Sequence, residues 1–234
     1  SADVESLISV VPQSGADMEV LAAITQMPLL PEFDCGLKFR PLIAESWSFS
    51  EDGKTLSMVL SDDFRWTDGQ PVTAHDVAFT YELIADAAVA SPRRDFIEHM
   101  VEGAAPRVVD DTHLEFEFTR TYDRATMLAH ATGVELLPKH ALVEADRGAL
   151  RGDPFHDEPV TNGPFRLESR DPGQTITLVP NEQWSGPEAM KPRLKRVIFK
   201  VLPEYSTQLL ELEAGTVDML TAVEVADADR LARD

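Results

Sequence analysis

The stretch Phe64-Arg-Trp-Thr-Asp-Gly-Gln-Pro-Val-Thr-Ala-His-Asp-Val-Ala-Phe79 decides how this chain is read. Phe64 and Trp66 alternate about Arg65 with the period of a half-buried strand. Thr67 to Pro71 then supplies a turn in which Gly69 can take the positive φ that side chains resist. Thr73 is placed to cap a helix, and Asp76 stands three residues on, so its carboxylate can reach back as in a capping box with a shortened acid. An acid in the first turn also meets the positive end of the helix dipole. Val77, Tyr81 and Ile84 form the apolar stripe that follows, which predicts a helix over Ala74 to Ala88.

Upstream, Trp47 and Phe49 alternate, Ser50 to Gly53 makes a turn, and Leu56, Met58 and Leu60 alternate again, which predicts a hairpin. Val20, Ala23, Ile24 and Met27 follow helical spacing and are stopped by Pro28 and Pro31, predicting a helix over Val20 to Met27. The run Leu7 to Val11 is short and β-branched and reads as a strand or an extended segment. Downstream, Val108 to Phe118 reads as a second hairpin about Asp110 and Asp111, with Glu115 and Glu117 facing solvent. Ala125 to Val143 is helical in parts and broken at Gly133 and Pro138. Residues 146–160 are rich in turn formers and form a long connection. Phe165 to Leu178 folds back at Asp171-Pro172-Gly173, and Lys195 to Leu202 is one more strand. Tyr205 to Ala214 is a helix closed by Gly215, and Val217 to Leu220 reads as a short terminal strand. Hairpins outnumber regular βαβ units, so the class is α/β or α+β with a mixed sheet.

The 234 residues carry 21 Lys and Arg against 41 Asp and Glu, a formal charge of −20. Such a surface repels nucleic-acid phosphates and anionic membranes. The single cysteine, Cys35, rules out an intrachain disulfide and a Cys-rich zinc site. No run is long and apolar enough to cross a bilayer as a helix. Val20 to Leu30 resembles a signal-peptide core, but acids precede it and the first base is Lys38, so it belongs to the fold. The chain begins at Ser1, as processing or a segment boundary would leave it.

Reaction machinery is absent from the motifs: there is no phosphate-binding glycine loop, nucleophile elbow or His-Glu-x-x-His. His75, His99, His113, His130, His140 and His156 are scattered without metal-ligand spacing and read as surface or capping residues. Trp47, Trp66 and Trp184 fall in strand or turn patterns and read as core, although Trp184 beside Ser185 and Gly186 has the setting of an exposed side chain. With so many carboxylates, a chance acid–base pair carries little weight.

Four ordered blocks narrow the reading. Pro41-Leu-Ile-Ala-Glu-Ser-Trp47 with Ser50-Glu-Asp-Gly53, the Phe64 to Phe79 stretch, Thr161-Asn-Gly163-Pro-Phe165 with Pro172-Gly173 and Asn181-Glu-Gln-Trp184, and Leu210-Glu-Leu-Glu-Ala-Gly215-Thr-Val-Asp218-Met resemble the signature blocks of the extracellular solute-binding proteins of family 5. That family comprises the oligopeptide, dipeptide, nickel and oligosaccharide receptors of ABC importers. Thr67 stands where the family usually has His, and Asn162 where it usually has Thr.

The resemblance implies an α/β fold, the N-terminal lobe of a periplasmic-binding-protein type II arrangement, with a mixed sheet and an inserted small α+β subdomain. Residues 1–35 and 156–234 would form the core of that lobe and 36–155 the insertion. The second lobe and the hinge return of the family would be absent from these 234 residues. The implied function is capture of a peptide or similar small solute in an interlobe cleft for delivery to ABC permease membrane subunits, without catalysis, cofactor or metal. The implied location is periplasmic or extracellular, either soluble or lipid-anchored. The loop Pro12 to Gly15 matches by position a cleft-facing loop of the family, which singles out Gln13 and Ser14 as ligand contacts. The alternatives are an interaction or sensory domain without transport and a carboxylate-dependent hydrolase.

Overall fold

The computed structural model describes residues 3–32, 38–101 and 105–231, so Cys35 lies outside the described residues. Helix α1 spans Gly15–Ile24 and starts earlier than the apolar spacing predicts. Ser14 is the reason: its hydroxyl accepts the Asp17 N–H at 3.1 Å while the Asp17 carboxylate accepts the Ser14 N–H at 3.1 Å. This is a capping box with the short acid, at a site where periodicity alone is silent. Thr25 leaves the helix with extended backbone angles, so Met27 lies beyond its end. Leu7 to Val11 forms no strand, yet all five residues are buried. Its amides find partners off any sheet: Leu7 N–H donates to His156 Nδ1 at 2.9 Å, and Val11 N–H to the Ile8 carbonyl at 3.0 Å.

The strands fall into three sheets, and every pairing among the described residues is antiparallel, where a sheet of mixed sense was expected. Strands β1 (Leu29–Glu32) and β2 (Lys38–Pro41) pair antiparallel, which the sequence reading did not anticipate. Strands β3 (Ala44–Phe49), β4 (Thr55–Leu60), β5 (Arg107–Val108) and β6 (His113–Glu117) form a sheet in the order β3-β4-β6-β5. Strands β7 (Phe165–Asp171), β8 (Thr175–Pro180) and β9 (Val197–Lys200) form the third, in that order. Short turns dictate the antiparallel sense of β3–β4 and β7–β8: Gly53 (φ 68°) and Gly173 (φ 72°) carry the left-handed residue of each.

Helix α2 covers Ala74–Ala85 and stops short of Ala88, because the Asp86 carboxylate captures the Ala88 N–H at 2.8 Å in a turn. Helices α3 (Arg124–Thr132) and α4 (Lys139–Leu142) are separated at Gly133 and Pro138 as predicted. The 146–160 connection contains two short 3-10 segments, Arg147–Gly152 and Pro154–His156, set up by Asp146 and Asp153 caps. Helix α5 (Tyr205–Glu213) ends at Gly215 (φ 69°), and α6 covers Val225–Leu231. The terminal strand expected over Val217 to Leu220 does not form; its residues follow the α5 turn irregularly, with Asp218 and Met219 exposed and Val217 and Leu220 half-buried.

Three clusters of buried side chains hold these elements. One joins Val4, Leu7, Val20 and Ile24 to Ile176 and Leu178 of β8. The largest packs β3, β4 and β6 against α2 and α3 around Trp66, Tyr81 and Phe116. A third joins Ile8, Val10 and Val11 to Phe79, Ile84, Leu142 and Phe155. Fully burying one such side chain stabilises by about 1.5–3 kcal/mol, so the non-strand segment 7–11 is fixed by packing on both sides. Trp66 is fully buried, whereas Trp47 and Trp184 are half-buried against the largest cluster. Glu117 is exposed as expected, and Glu115 is half-buried beside Arg107.

Candidate functional site

Two buried aspartates organise the loops. Asp17, fully buried, accepts the amides of Glu5 at 2.7 Å and of Gln13 at 2.7 Å, together with the Ser14 N–H and the Ser14 hydroxyl at 3.0 Å. One carboxylate thus holds the N-terminal segment and the Pro12–Ser14 loop to the first turn of α1. Asp76 does the same for α2. It accepts the Thr73 N–H at 2.8 Å, the Thr73 hydroxyl at 3.2 Å, the Trp66 indole N–H at 3.3 Å and the Lys139 N–H at 2.8 Å. Charge-assisted bonds of this kind are roughly twice as strong as neutral ones, which makes each aspartate a rigid joint.

The two residues singled out from sequence differ in what they offer. Ser14 spends its hydroxyl on the cap in both directions, accepting from Asp17 N and donating to its carboxylate. Gln13 is exposed, and its amide side chain forms no hydrogen bond among the described residues. Gly15 beside it has open space where a side chain would stand.

Beside this loop lies a constellation that the sequence reading missed. The Ser91 hydroxyl donates to the Val10 carbonyl at 2.5 Å, and the Ser9 hydroxyl to the Glu135 carbonyl at 2.7 Å, so segments 9–10, 91–93 and 135 converge. There Arg93 and Glu135 form an ion pair with side chains only 14% and 8% exposed. Their contact is a single Nη2···Oε2 approach at 3.4 Å. The same Nη2 lies 2.9 Å from Met18 Sδ on α1, and the guanidinium sits 5.7 Å from the Phe96 ring centre. Burial pushes the Tyr81 hydroxyl well above its ordinary range, and the Arg93 charge opposes that shift. No motif marks such a pair, because its members are 42 residues apart and meet only through tertiary packing.

The second and third of the family-like blocks are joined by hydrogen bonds. Thr67 and Thr161 exchange bonds, Thr67 N–H to the Thr161 carbonyl at 2.8 Å and Thr161 N–H to the Thr67 hydroxyl at 3.1 Å. Asn162 Oδ1 accepts the Gln26 N–H at 2.8 Å. Each of the two departures from the family pattern thus ties its block to a distant segment. Gly163 donates to the Ile24 carbonyl at 2.8 Å, so close that an added Cβ would stand 2.4 Å from the Ile24 carbonyl carbon.

Four histidines pair singly with carboxylates: His75 with Asp111, His99 with Glu98, His113 with Asp110 and His140 with Asp68. His156 departs from the expectation of a surface residue, being buried at 5% exposure. Its Nδ1 accepts from Leu7, which leaves Nε2–H to donate to the Leu150 carbonyl at 2.9 Å, and burial lowers its pKa. Among the described residues no group of three or more His, Cys, Asp or Glu is placed to hold a metal ion.

The pinned loop and the neighbouring half-spent ion pair sit on one α/β scaffold, and its relatives give its class. Residues 38–234 match the family described as "Bacterial extracellular solute-binding proteins, family 5 Middle", and the chain belongs to that family. Over 196 residues it is 30% identical to the "Probable D,D-dipeptide-binding periplasmic protein DdpA" of Escherichia coli (strain K12), covering 82% of this chain and 36% of that protein. The solved structure of the ABC transporter substrate binding protein CtaP (Lmo0135) from Listeria monocytogenes superposes with a TM-score of 0.82 at 23% identity, covering 100% of this chain and 45% of that one. MoaA in complex with mannopinic acid, from A. tumefaciens R10, gives 0.78 at 26% identity, over 93% and 42%. The fold is that of the N-terminal lobe of type II periplasmic binding proteins, and the chain spans less than half the length of each of these relatives.

Proposed function

We propose that this chain forms the N-terminal lobe of a receptor that captures a peptide or similar small solute for an ABC importer and delivers it to the permease subunits outside the cytoplasmic membrane, in soluble or lipid-anchored form. The family match over 38–234 carries this reading. Residues 1–35 and 156–234 act as the core of the lobe and 36–155 as the insertion. In support, the Val4–Leu178 cluster draws on the two outer segments alone, whereas the largest cluster draws mainly on the inner one. Leu194, Ile198, Leu210, Met219 and Val225, on or near β9, α5 and α6, are exposed, as surfaces that a second lobe and its return strands would cover. Gln13 contacts the solute through its unspent amide, and Ser14 sets the shape of the loop. Hinge closure over this face traps the solute.

The test uses the polypeptide at its natural length, purified without denaturation. Native mass spectrometry identifies any co-purified solute, and thermal shifts are recorded against dipeptides, oligopeptides, sugar acids and nickel chelates. The receptor reading expects one class to raise the melting temperature with concentration and to be recovered intact. A stabilising solute that is consumed, or no solute in any class, contradicts it.

A further inference from the structure

Asn162 is sealed in the core with half of its side-chain amide unpartnered. The residue is 1% exposed, and its Oδ1 accepts the Gln26 N–H at 2.8 Å. That bond fixes the orientation of the amide, since the turned-over group would set an N–H donor against the Gln26 N–H. Nδ2 is left with two N–H donors, closed off from solvent and without a partner among the described residues. The hydroxyl of Thr161, also 1% exposed, is in the same condition one residue earlier.

The carbonyls of the adjoining segments already accept bonds. The Ile24 carbonyl takes the Gly163 N–H at 2.8 Å, the Thr25 carbonyl the Gln26 Nε2 donor at 2.7 Å, and the Gln26 carbonyl the Leu136 N–H at 3.1 Å. The Thr161 carbonyl takes the Thr67 N–H at 2.8 Å, and the Gly163 carbonyl the Asn181 Nδ2 donor at 2.8 Å. Gln26 Oε1, by contrast, accepts no hydrogen bond among the described residues. A buried donor without an acceptor carries its full desolvation penalty, and native cores hold few such groups.

We propose that Thr161-Asn162 is the binding site of an internal water molecule, whose oxygen accepts a bond from Asn162 Nδ2. The Thr161 hydroxyl and Gln26 Oε1, on the residue before Asn162 and the residue bonded to it, offer the further polar partners that a buried water requires. Water can accept from Nδ2 and donate to an oxygen at once. A cation would instead face N–H donors, and chloride would stand against the Gln26 carbonyl dipole in a chain of formal charge −20. The site joins the end of α1, the entry to β7 and Leu136. Bonds through such a water hold nearly as well as direct ones, which makes it a structural ligand of that joint. The site goes beyond the receptor reading and requires no solute.

The test is a crystal structure of the polypeptide at its natural length, grown without solute, at a resolution that shows ordered water. A density peak is expected at roughly 2.7–3.2 Å from Asn162 Nδ2. Oxygen-17 relaxation dispersion of the water signal then counts long-lived internal waters in solution, for the parent and for Asn162→Leu, which removes the donor at nearly constant volume. The count is expected to fall by one in the variant, checked for native circular dichroism. A protein acceptor at Nδ2 in the map, an Nδ2 with no neighbour, or an equal count in both chains overturns the site. Should Asn162→Leu fail to fold, the parent map decides alone. An empty solute screen does not bear on this result, so the two readings fail separately.

Discussion

Replacing Asp17 with alanine tests whether one buried carboxylate holds the N-terminal loop in shape. The substitution strips the acceptor from the amides of Glu5, Gln13 and Ser14 and breaks the α1 cap. A hydrogen bond to a charged group contributes roughly 1.5–3 kcal/mol, but these amides are only partly buried and water replaces much of it, leaving about 1 kcal/mol each. Three amides give about 3 kcal/mol, which in a domain of this size lowers Tm by about 6–12 °C. Ser14→Ala removes only the cap hydroxyl, worth about 1 kcal/mol, and lowers Tm by about 2–4 °C. Thermal melts followed by circular dichroism measure both. The reasoning is refuted if Asp17→Ala melts within about 2 °C of the parent, or if Ser14→Ala costs as much as Asp17→Ala.

Gly163→Ala places a Cβ 2.4 Å and 2.6 Å from the Ile24 carbonyl carbon and oxygen and 2.7 Å from Thr25 N, all backbone atoms that cannot swing aside; a loss of about 3 kcal/mol is expected in urea melts, and an unchanged midpoint contradicts the close approach. His156 has a pKa below its ordinary 6.5 in the folded chain because it is buried, so the unfolded chain takes up the proton first as pH falls. Its contribution is therefore fully present above about pH 6.5 and is lost as pH drops toward the folded value. Protonation also turns Nδ1 from acceptor to donor against the Leu7 N–H. Urea melts from pH 8 to pH 5 should show this loss, and His156→Gln should flatten it; an equal slope in both chains would exclude His156 as its source.

Local chemistry made much of the fold legible. The Thr73-to-Asp76 cap, the Gly53 and Gly173 turns and the Gly215 helix end each depend on residues adjacent in sequence, and each formed where it was read. Elements decided by distant partners were not legible. Leu7 to Val11 has strand composition but is claimed by two cores and by the His156 ring, so it never joins a sheet. Val217 to Leu220 likewise has the composition of a strand, yet no neighbouring strand pairs with it among the described residues. The Pro12–Gly15 loop was singled out by resemblance alone, and the depth to which Asp17 fixes it gave no signal in the sequence. Arg93 and Glu135 gave no signal at all, since an arginine in a polar stretch and a glutamate before two leucines are ordinary until folding brings them together.

The central claim is that the loop leading into α1 and the Arg93 segment line the solute cleft on this lobe. Hydrogen–deuterium exchange of the natural-length polypeptide, with and without a solute identified by the screen, measures this directly. The account predicts slowed exchange in segments 10–18 and 91–97 on binding. Protection confined to other segments, with these two unchanged at saturating solute, would contradict it.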